Sequence, residues 1–299
     1  GALNVKAKTL TVNGRLSADG GDGAENAGGG SGGSLFLQNI SQLAGTGVLS
    51  ANGGDANDTA GAGGGGRIAV SCVSNNFTGQ FSAAGGHGFY PGGAGSVYLA
   101  TGGNLQTRSL FVDNAGLAGT NTPLGSAFDL PTMPFDLNIS GAAIVVPVTP
   151  LPILRNLSIT GSATLTLPVA PSGLTVAALN DINVTGNLNA DYLGFTQTNG
   201  PGAGAGLSSQ GAGGGYGGAG GDSLSGARGG ASYGAAFQPV DFGSGGGAGA
   251  NTFAGGSQGG GALRVSAGGT LTVNGNLSAN GNDGWQDDSG GGAGGSIWI

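Results

Sequence analysis

The stretch GALRVSAGGTLTVNGNLSANGNDG at Gly261–Gly284 restates GALNVKAKTLTVNGRLSADGGDG at Gly1–Gly23, and GGSIWI at Gly294–Ile299 then answers GGSLFL at Gly32–Leu37. The correspondence runs over about 38 residues at an offset of 260 to 262, too long for chance even in a glycine-rich chain. Self-similarity at a fixed period marks arrays whose units bury their apolar faces against neighbours. Residues 1–260 therefore read as one repeat unit and 261–299 as the start of the next, within a single continuous array over 1–299. Gly1 stands in mid-pattern with neither an initiator Met nor a basic-then-apolar leader, which reads as a piece cut from something longer.

Inside the unit a smaller pattern recurs: two alternating apolar residues, a polar residue and Gly, then a second apolar pair. Leu10, Val12, Asn13-Gly14, Leu16 and Ala18 form the first instance, copied at Leu271, Val273, Asn274-Gly275, Leu277 and Ala279. Related versions stand at Leu137/Ile139 with Ser140-Gly141, Leu157/Ile159 with Thr160-Gly161, and Ile182/Val184 with Thr185-Gly186. Period-two alternation describes strands with one buried face. Asn-Gly is also a strong hairpin signal. A two-residue hairpin here would set Val12 opposite Arg15 and Leu10 opposite Ser17, mixing apolar and polar side chains on one face. A corner that keeps Leu10, Val12, Leu16 and Ala18 inward avoids this, with the polar-Gly pair supplying a left-handed residue; a three-residue bulged hairpin is the remaining antiparallel option. The pattern predicts an all-β chain folded as a right-handed parallel β-helix, a solenoid.

After Leu16-Ser17-Ala18, Leu49-Ser50-Ala51, Phe81-Ser82-Ala83, Leu188-Asn189-Ala190 and Leu277-Ser278-Ala279 the chain enters a polar or glycine-rich excursion. It returns each time to an apolar strand. The longest excursion spans 191–262. A featureless loop of that length argues against itself unless it has an order of its own. The expectation is a layer of polyproline-II-like glycine strands packed on one flank of the coils, anchored by Tyr216, Tyr233, Phe237, Phe242 and Phe253. The stretch 101–178 is leaner in Gly and holds Pro147, Pro150, Pro152, Pro168 and Pro171, which belong at corners because proline cannot donate to a ladder. No window sustains a helical apolar period, so no substantial helix is expected.

Composition bounds function. Gly supplies 72 of 299 residues and charged residues only 8%, against roughly 7% and 25% in an ordinary domain. A net charge of −7 with basic residues scattered singly offers no footprint for a phosphate backbone, which excludes nucleic acid as a partner. The longest apolar run, around Ala142–Val148, is far short of the ~20 residues of a membrane helix. One cysteine excludes a disulfide framework.

Candidate chemistry is sparse. Asp22, Asp55 and Asp283 each lie six residues beyond the leucine of their strand, and stacked coils would bring such carboxylates together as oxygen ligands for Ca²⁺. The competing reading is Asp as a turn residue bonding local backbone; no other cofactor is implied. GGDG and GNDG resemble the glycine–aspartate loops of calcium-binding repeats, but the tandem nonapeptide of that family is not continued. The strands lack the paired carboxylates and base of a polysaccharide lyase or hydrolase. His87 has no marked nucleophile, and Cys72 has no partner, so the chain does not read as an enzyme. Seven Asn-x-Ser/Thr sequons begin at Asn39, Asn57, Asn76, Asn138, Asn156, Asn183 and Asn276 and are candidates for glycosylation.

The LxVxGxLxA corners, the returns GGGSGGSLFL, GAGGGGRIAV and GGGAGGSIWI, and the long-range repeat resemble the Gly-rich repeats of very large secreted surface proteins and adhesins, mostly bacterial. The resemblance is one of style over most of the chain. It implies a parallel solenoid acting as an extracellular stalk, filament or adhesive fibre at the cell surface. Its partners would be copies of itself end to end, or adjacent repeats of a longer chain. The alternatives are a carbohydrate-binding or carbohydrate-cleaving β-helix, or an ice-binding module using rows such as Thr9 and Thr11 or Thr160, Thr164 and Thr166.

Overall fold

A computed structural model describes residues 1–57, 59–125, 130–131, 133–207, 209–250, 257–284 and 288–299. The strands are β1 (Ala2–Lys6), β2 (Thr9–Thr11), β3 (Arg15–Ser17), β4 (Ser34–Gly45), β5 (Val48–Ser50), β6 (Arg67–Phe77), β7 (Gln80–Ser82), β8 (Ser96–Thr101), β9 (Thr107–Asp113), β10 (Thr122–Leu124) and β11 (Asp136–Ser140). They continue as β12 (Ile144–Pro147), β13 (Asn156–Ile159), β14 (Thr164–Leu165), β15 (Gly173–Ala178), β16 (Ile182–Val184), β17 (Asn187–Asn189), β18 (Ala262–Ala267), β19 (Leu271–Val273), β20 (Asn276–Ser278) and β21 (Ser296–Trp298). Among the described residues the one helical element is the 3-10 turn Gly103–Leu105.

The ten-stranded main sheet runs β1-β4-β6-β8-β9-β11-β13-β16-β19, with β2 beside β4. Three smaller sheets join β10-β12-β14-β17-β20, β15-β18-β21 and β3-β5-β7. The Leu10–Ala18 stretch forms a corner: β2 pairs with β4 while β3 pairs with β5, and Leu10, Val12, Leu16 and Ala18 all pack on one core. Gly14, Gly186 and Gly275 do not adopt the expected left-handed conformation at these corners, whereas Gly141 (φ 58) and Gly161 (φ 64) do.

The chain is not the expected continuous right-handed parallel β-helix: it forms one large mixed sheet with three smaller sheets. The main sheet is mixed: β8 and β9 pair antiparallel, through Val97↔Phe111, Tyr98↔Leu110 and Leu99↔Ser109. The reversal is made at Gly102-Gly103-Asn104-Leu105, where Gly102, Asn104 and Leu105 all have positive φ. Directly opposed residues of an antiparallel pair share a face. Val97 and Leu99 belong to one core, with Leu35, Leu37, Ile68 and Val70. Leu110 and Val112, with Tyr98 packed against them, belong to the other, with Leu137, Ile139, Leu157, Ile159, Ile182 and Val184. The two cores therefore lie on opposite faces of one sheet. Strand direction and buried face switch together at β8/β9.

The glycine-rich excursions form two sets, one with each core, rather than a single flank. In the first, a Cβ on Gly63, Gly92 or Gly119 would fall 2.0, 1.9 and 1.9 Å from the carbonyl oxygen of Gly30, Gly63 and Gly92 respectively. Backbone rests directly on backbone there, and only glycine fits. Bonds such as Gly54 N–H to Gly30 O at 2.8 Å and Gly86 N–H to Gly63 O at 2.9 Å hold the layers together. The second set, within 191–262 and 281–295, behaves alike: Gly230 N–H reaches Gly213 O at 2.9 Å and Gly214 N–H reaches Gly291 O at 2.9 Å. Its aromatic contacts are Phe195 with Phe242 and Tyr216 with Tyr233, at ring separations of 5.9 and 5.2 Å. Phe237, expected as an anchor, is 89% exposed, and Phe253 lies outside the described residues.

Candidate functional site

Several Asp and Asn side chains bond one strand layer to the next. One position beyond the first Leu-x-Ala strand, Asp19 accepts from Asn52 N–H at 2.8 Å through Oδ1 and from Ser50 Oγ at 3.0 Å through Oδ2. Asn52 repeats the act one rung on, its Oδ1 accepting from Ser82 Oγ at 2.7 Å and Ala84 N–H at 2.9 Å. In the second half Asp191 accepts from Ser278 Oγ at 3.0 Å and Asn280 N–H at 2.6 Å. Short Asp and Asn side chains suit this role because they reach neighbouring backbone without leaving the rung.

Burial pushes the Asp19 carboxyl up, but the Asn52 N–H, the Ser50 hydroxyl and Arg15 together outweigh it, leaving it below the usual carboxylate range. Asp136 follows the same logic. Desolvation raises it, while Arg155, Asn156 and Ser109 together hold it lower, and in return Asp136 raises the Arg155 guanidinium. Arg155 Nε donates to Asp136 Oδ1 at 2.7 Å, its Nη2 pairs with Oδ2, and Asn156 Nδ2 donates to Oδ1 at 2.7 Å. The stack continues: Asn156 Oδ1 accepts from Asp181 N–H at 3.1 Å, and Asp181 Oδ1 accepts from Thr270 N–H at 2.7 Å.

The candidate metal residues join a similar ladder. Asp22 Oδ1 accepts from Asp55 N–H at 2.8 Å, and Asp55 Oδ1 accepts from His87 N–H at 2.7 Å. Asp22 and Asp55 are thus on consecutive rungs, each with a carboxylate oxygen on the next backbone N–H. Asp283 stands in the copy of that position within the second glycine set. Among the described residues no group of three or more His, Cys, Asp or Glu side chains is arranged to hold a metal.

The sequons divide by use. Asn39 is exposed at the extra residue of a β-bulge in β4, with φ of 59°; Asn57, Asn76 and Asn183 are exposed, and Asn138 is half-buried. The amides of Asn156 and Asn276 donate within the structure, the latter to Asn187 Oδ1 at 2.9 Å. Cys72 is buried in the first core and His87 is exposed.

Two cavities flank the strand reversal. One, of about 470 Å³, is lined by Tyr98, Leu110, Thr122, Leu124 and Leu130; the other, of about 530 Å³, by Phe81, Val97, Leu99 and Phe111. Each is the open end of one core where the other begins. They follow from the change of buried face.

The staples at Asn114 and Arg155 were not singled out from sequence. Asn114, fully buried, donates to Gly92 O and Leu117 O and accepts from Gly85 N–H at 2.8 Å. The available signal was position: a short polar residue just past an apolar strand, as at Asp19.

The second copy reproduces several backbone bonds of the first. Ser296 N–H reaches Gly261 O at 3.0 Å as Ser34 N–H reaches Gly1 O at 2.9 Å. Gly295 to Ala279 O (2.7 Å) answers Gly33 to Ala18 O (2.6 Å), and Gly292 to Asn282 O (2.9 Å) answers Gly30 to Gly21 O (2.8 Å). Comparison of the chain with protein-family models, curated proteins and solved structures gives no match. No helix among the described residues is long and apolar enough to cross a membrane.

Proposed function

We propose that this chain is a structural repeat of an extracellular surface fibre, stalk or filament, acting through its own stacking rather than through catalysis. The observation that carries the reading is the second copy. Residues 261–299 repeat the backbone bonds that Ser34, Gly33 and Gly30 make within 1–37 while continuing the ladder on β15, β16 and β17, so the unit is compatible with its own repetition. Side chains that elsewhere would serve a site are committed here to inter-rung bonds, and backbone-on-backbone glycine contacts leave little room for protease entry or local opening. Units that contact only their neighbours give a stiff, extendable rod.

The main sheet advances eight strand positions from β2 to its copy β19. At about 4.8 Å per strand, that corresponds to an axial rise of about 38 Å per unit. Electron microscopy and sedimentation of native material test the reading: extended rods are expected. A native species that is a compact monomer of 28.1 kDa overturns it.

A further inference from the structure

We infer that the edge formed by β1, β2 and β3 is a docking face for the β15-β16-β17 surface of a preceding copy of this repeat, with consecutive copies related by a half-turn about the stacking axis. The inference rests on the fibre reading and specifies its partner and register.

The chain carries its own precedent. β18 lies on β15 with Leu174↔Leu263 and Val176↔Val265, β19 on β16 with Ile182↔Leu271 and Val184↔Val273, and β20 on β17 with Leu188↔Leu277. Substituting the matching residues of the first copy gives Leu174↔Leu3, Val176↔Val5, Ile182↔Leu10, Val184↔Val12 and Leu188↔Leu16. Apolar residues face apolar residues throughout. What the first copy lacks is visible in its exposure: Leu3 is 37% exposed, while its counterpart Leu263, seated on β15, is 1% exposed.

Polar partners transfer as well. Asp191 of the preceding copy would accept from Ser17 Oγ and Asp19 N–H, as it does from Ser278 and Asn280 here. Asp181 would accept from Thr9 N–H, as it does from Thr270. Asp19 replaces Asn280 and brings a second carboxylate to the seam, and Arg15, already paired with Asp19, supplies the compensating charge.

The half-turn follows from the junction at β8/β9. The second copy begins on the opposite face of the sheet from the first: Leu10 packs on the core of Leu35 and Ile68, whereas its counterpart Leu271 packs on that of Leu137 and Ile182. Strand direction has also reversed once. Reversing direction and face together is a rotation of a half-turn about the stacking axis, to which ordinary sheet twist is added. Two units are then needed to return to the same orientation.

The test is a chain in which residues 1–260 precede a complete second copy, with Thr175→Cys in the first and Asn4→Cys in the second. Facing positions on adjacent strands lie within disulfide reach. With oxidised glutathione, peptide mapping is expected to find one intrachain disulfide between the introduced cysteines. Two folded copies whose introduced thiols stay free, or pair only between molecules, overturn the proposal. Hydrogen exchange on the unsubstituted two-copy chain is the second measurement: amides across Leu3–Thr11 of the second copy should exchange at least about tenfold more slowly than those of the first. Equal rates overturn it. Loss of the seam while native material still forms fibres would remove this interface and leave the fibre reading standing; a seam in the two-copy chain with monomeric native material would do the reverse.

Discussion

Tyr98 stands directly opposite Leu110 across the reversal of the main sheet, and both side chains lie on the face that the second core occupies. Their neighbours Val97 and Phe111 share the other face. β8 thereby packs on both cores, Val97 and Leu99 on the first and Tyr98 on the second, while Phe111 on β9 stays 38% exposed. Leu110→Asp should place an unpaired carboxylate in the second core at the junction. A loss of about 3 kcal/mol or more is expected, read as a lowered chemical-denaturation midpoint, with exchange accelerated first in β9 and β11.

The staple at Asp191 supports the second copy. Asp191→Ala leaves the Asn280 N–H and the Ser278 hydroxyl without their acceptor, at a cost of about 1–3 kcal/mol. Asp191→Asn should recover much of it, because Asn52 fills the same role with an amide. Hydrogen exchange over Asn276–Gly284 measures both; equal exchange in wild type and Asp191→Ala would remove the staple from the account.

Glycine positions should separate sharply. A Cβ at Gly63 would sit 2.0 Å from Gly30 O, whereas Gly21 and Gly218 have nothing within 4 Å. Gly63→Ala is expected to destabilise by at least about 1–3 kcal/mol, and Gly21→Ala or Gly218→Ala to be neutral or slightly stabilising through the unfolded chain. Thermal melting of the three variants decides.

Acid should act late. Asp19 and Asp136 are held below the ordinary 3.8 in the folded chain, so each contributes stability that is complete above that value and lost as pH falls through its lower folded pKa. The melting temperature should therefore fall below about pH 4, and Asp136→Asn should flatten that fall while lowering stability near neutral pH. A profile unchanged by Asp136→Asn would contradict the assignment.

The corners and the repeat were legible because they depend on residue phase alone: a two-residue hairpin cannot put Leu10, Val12, Leu16 and Ala18 on one core, and a corner can. The reversal was not read, although SVYLAT at Ser96–Thr101 does not alternate. Val97 and Ala100 are both buried, on opposite faces, and a continuous apolar strand is what two covered faces produce. Gly102-Gly103-Asn104 carried the hairpin signal there, while the Asn13-Gly14 pair that looked more like a hairpin formed a corner. The carboxylates of Asp22 and Asp55 were found by spacing, but their use on backbone N–H groups depends on which rung lies above, which spacing does not state.

A density map of the two-copy chain at side-chain resolution tests the central claim most directly. The account predicts strands about 4.8 Å apart, one antiparallel pair at Tyr98 and Leu110 in each copy, and successive copies turned by about half a revolution with their first cores on opposite faces of one sheet. A map in which every neighbouring strand runs parallel and a single core passes unbroken from the first copy to the second would contradict it.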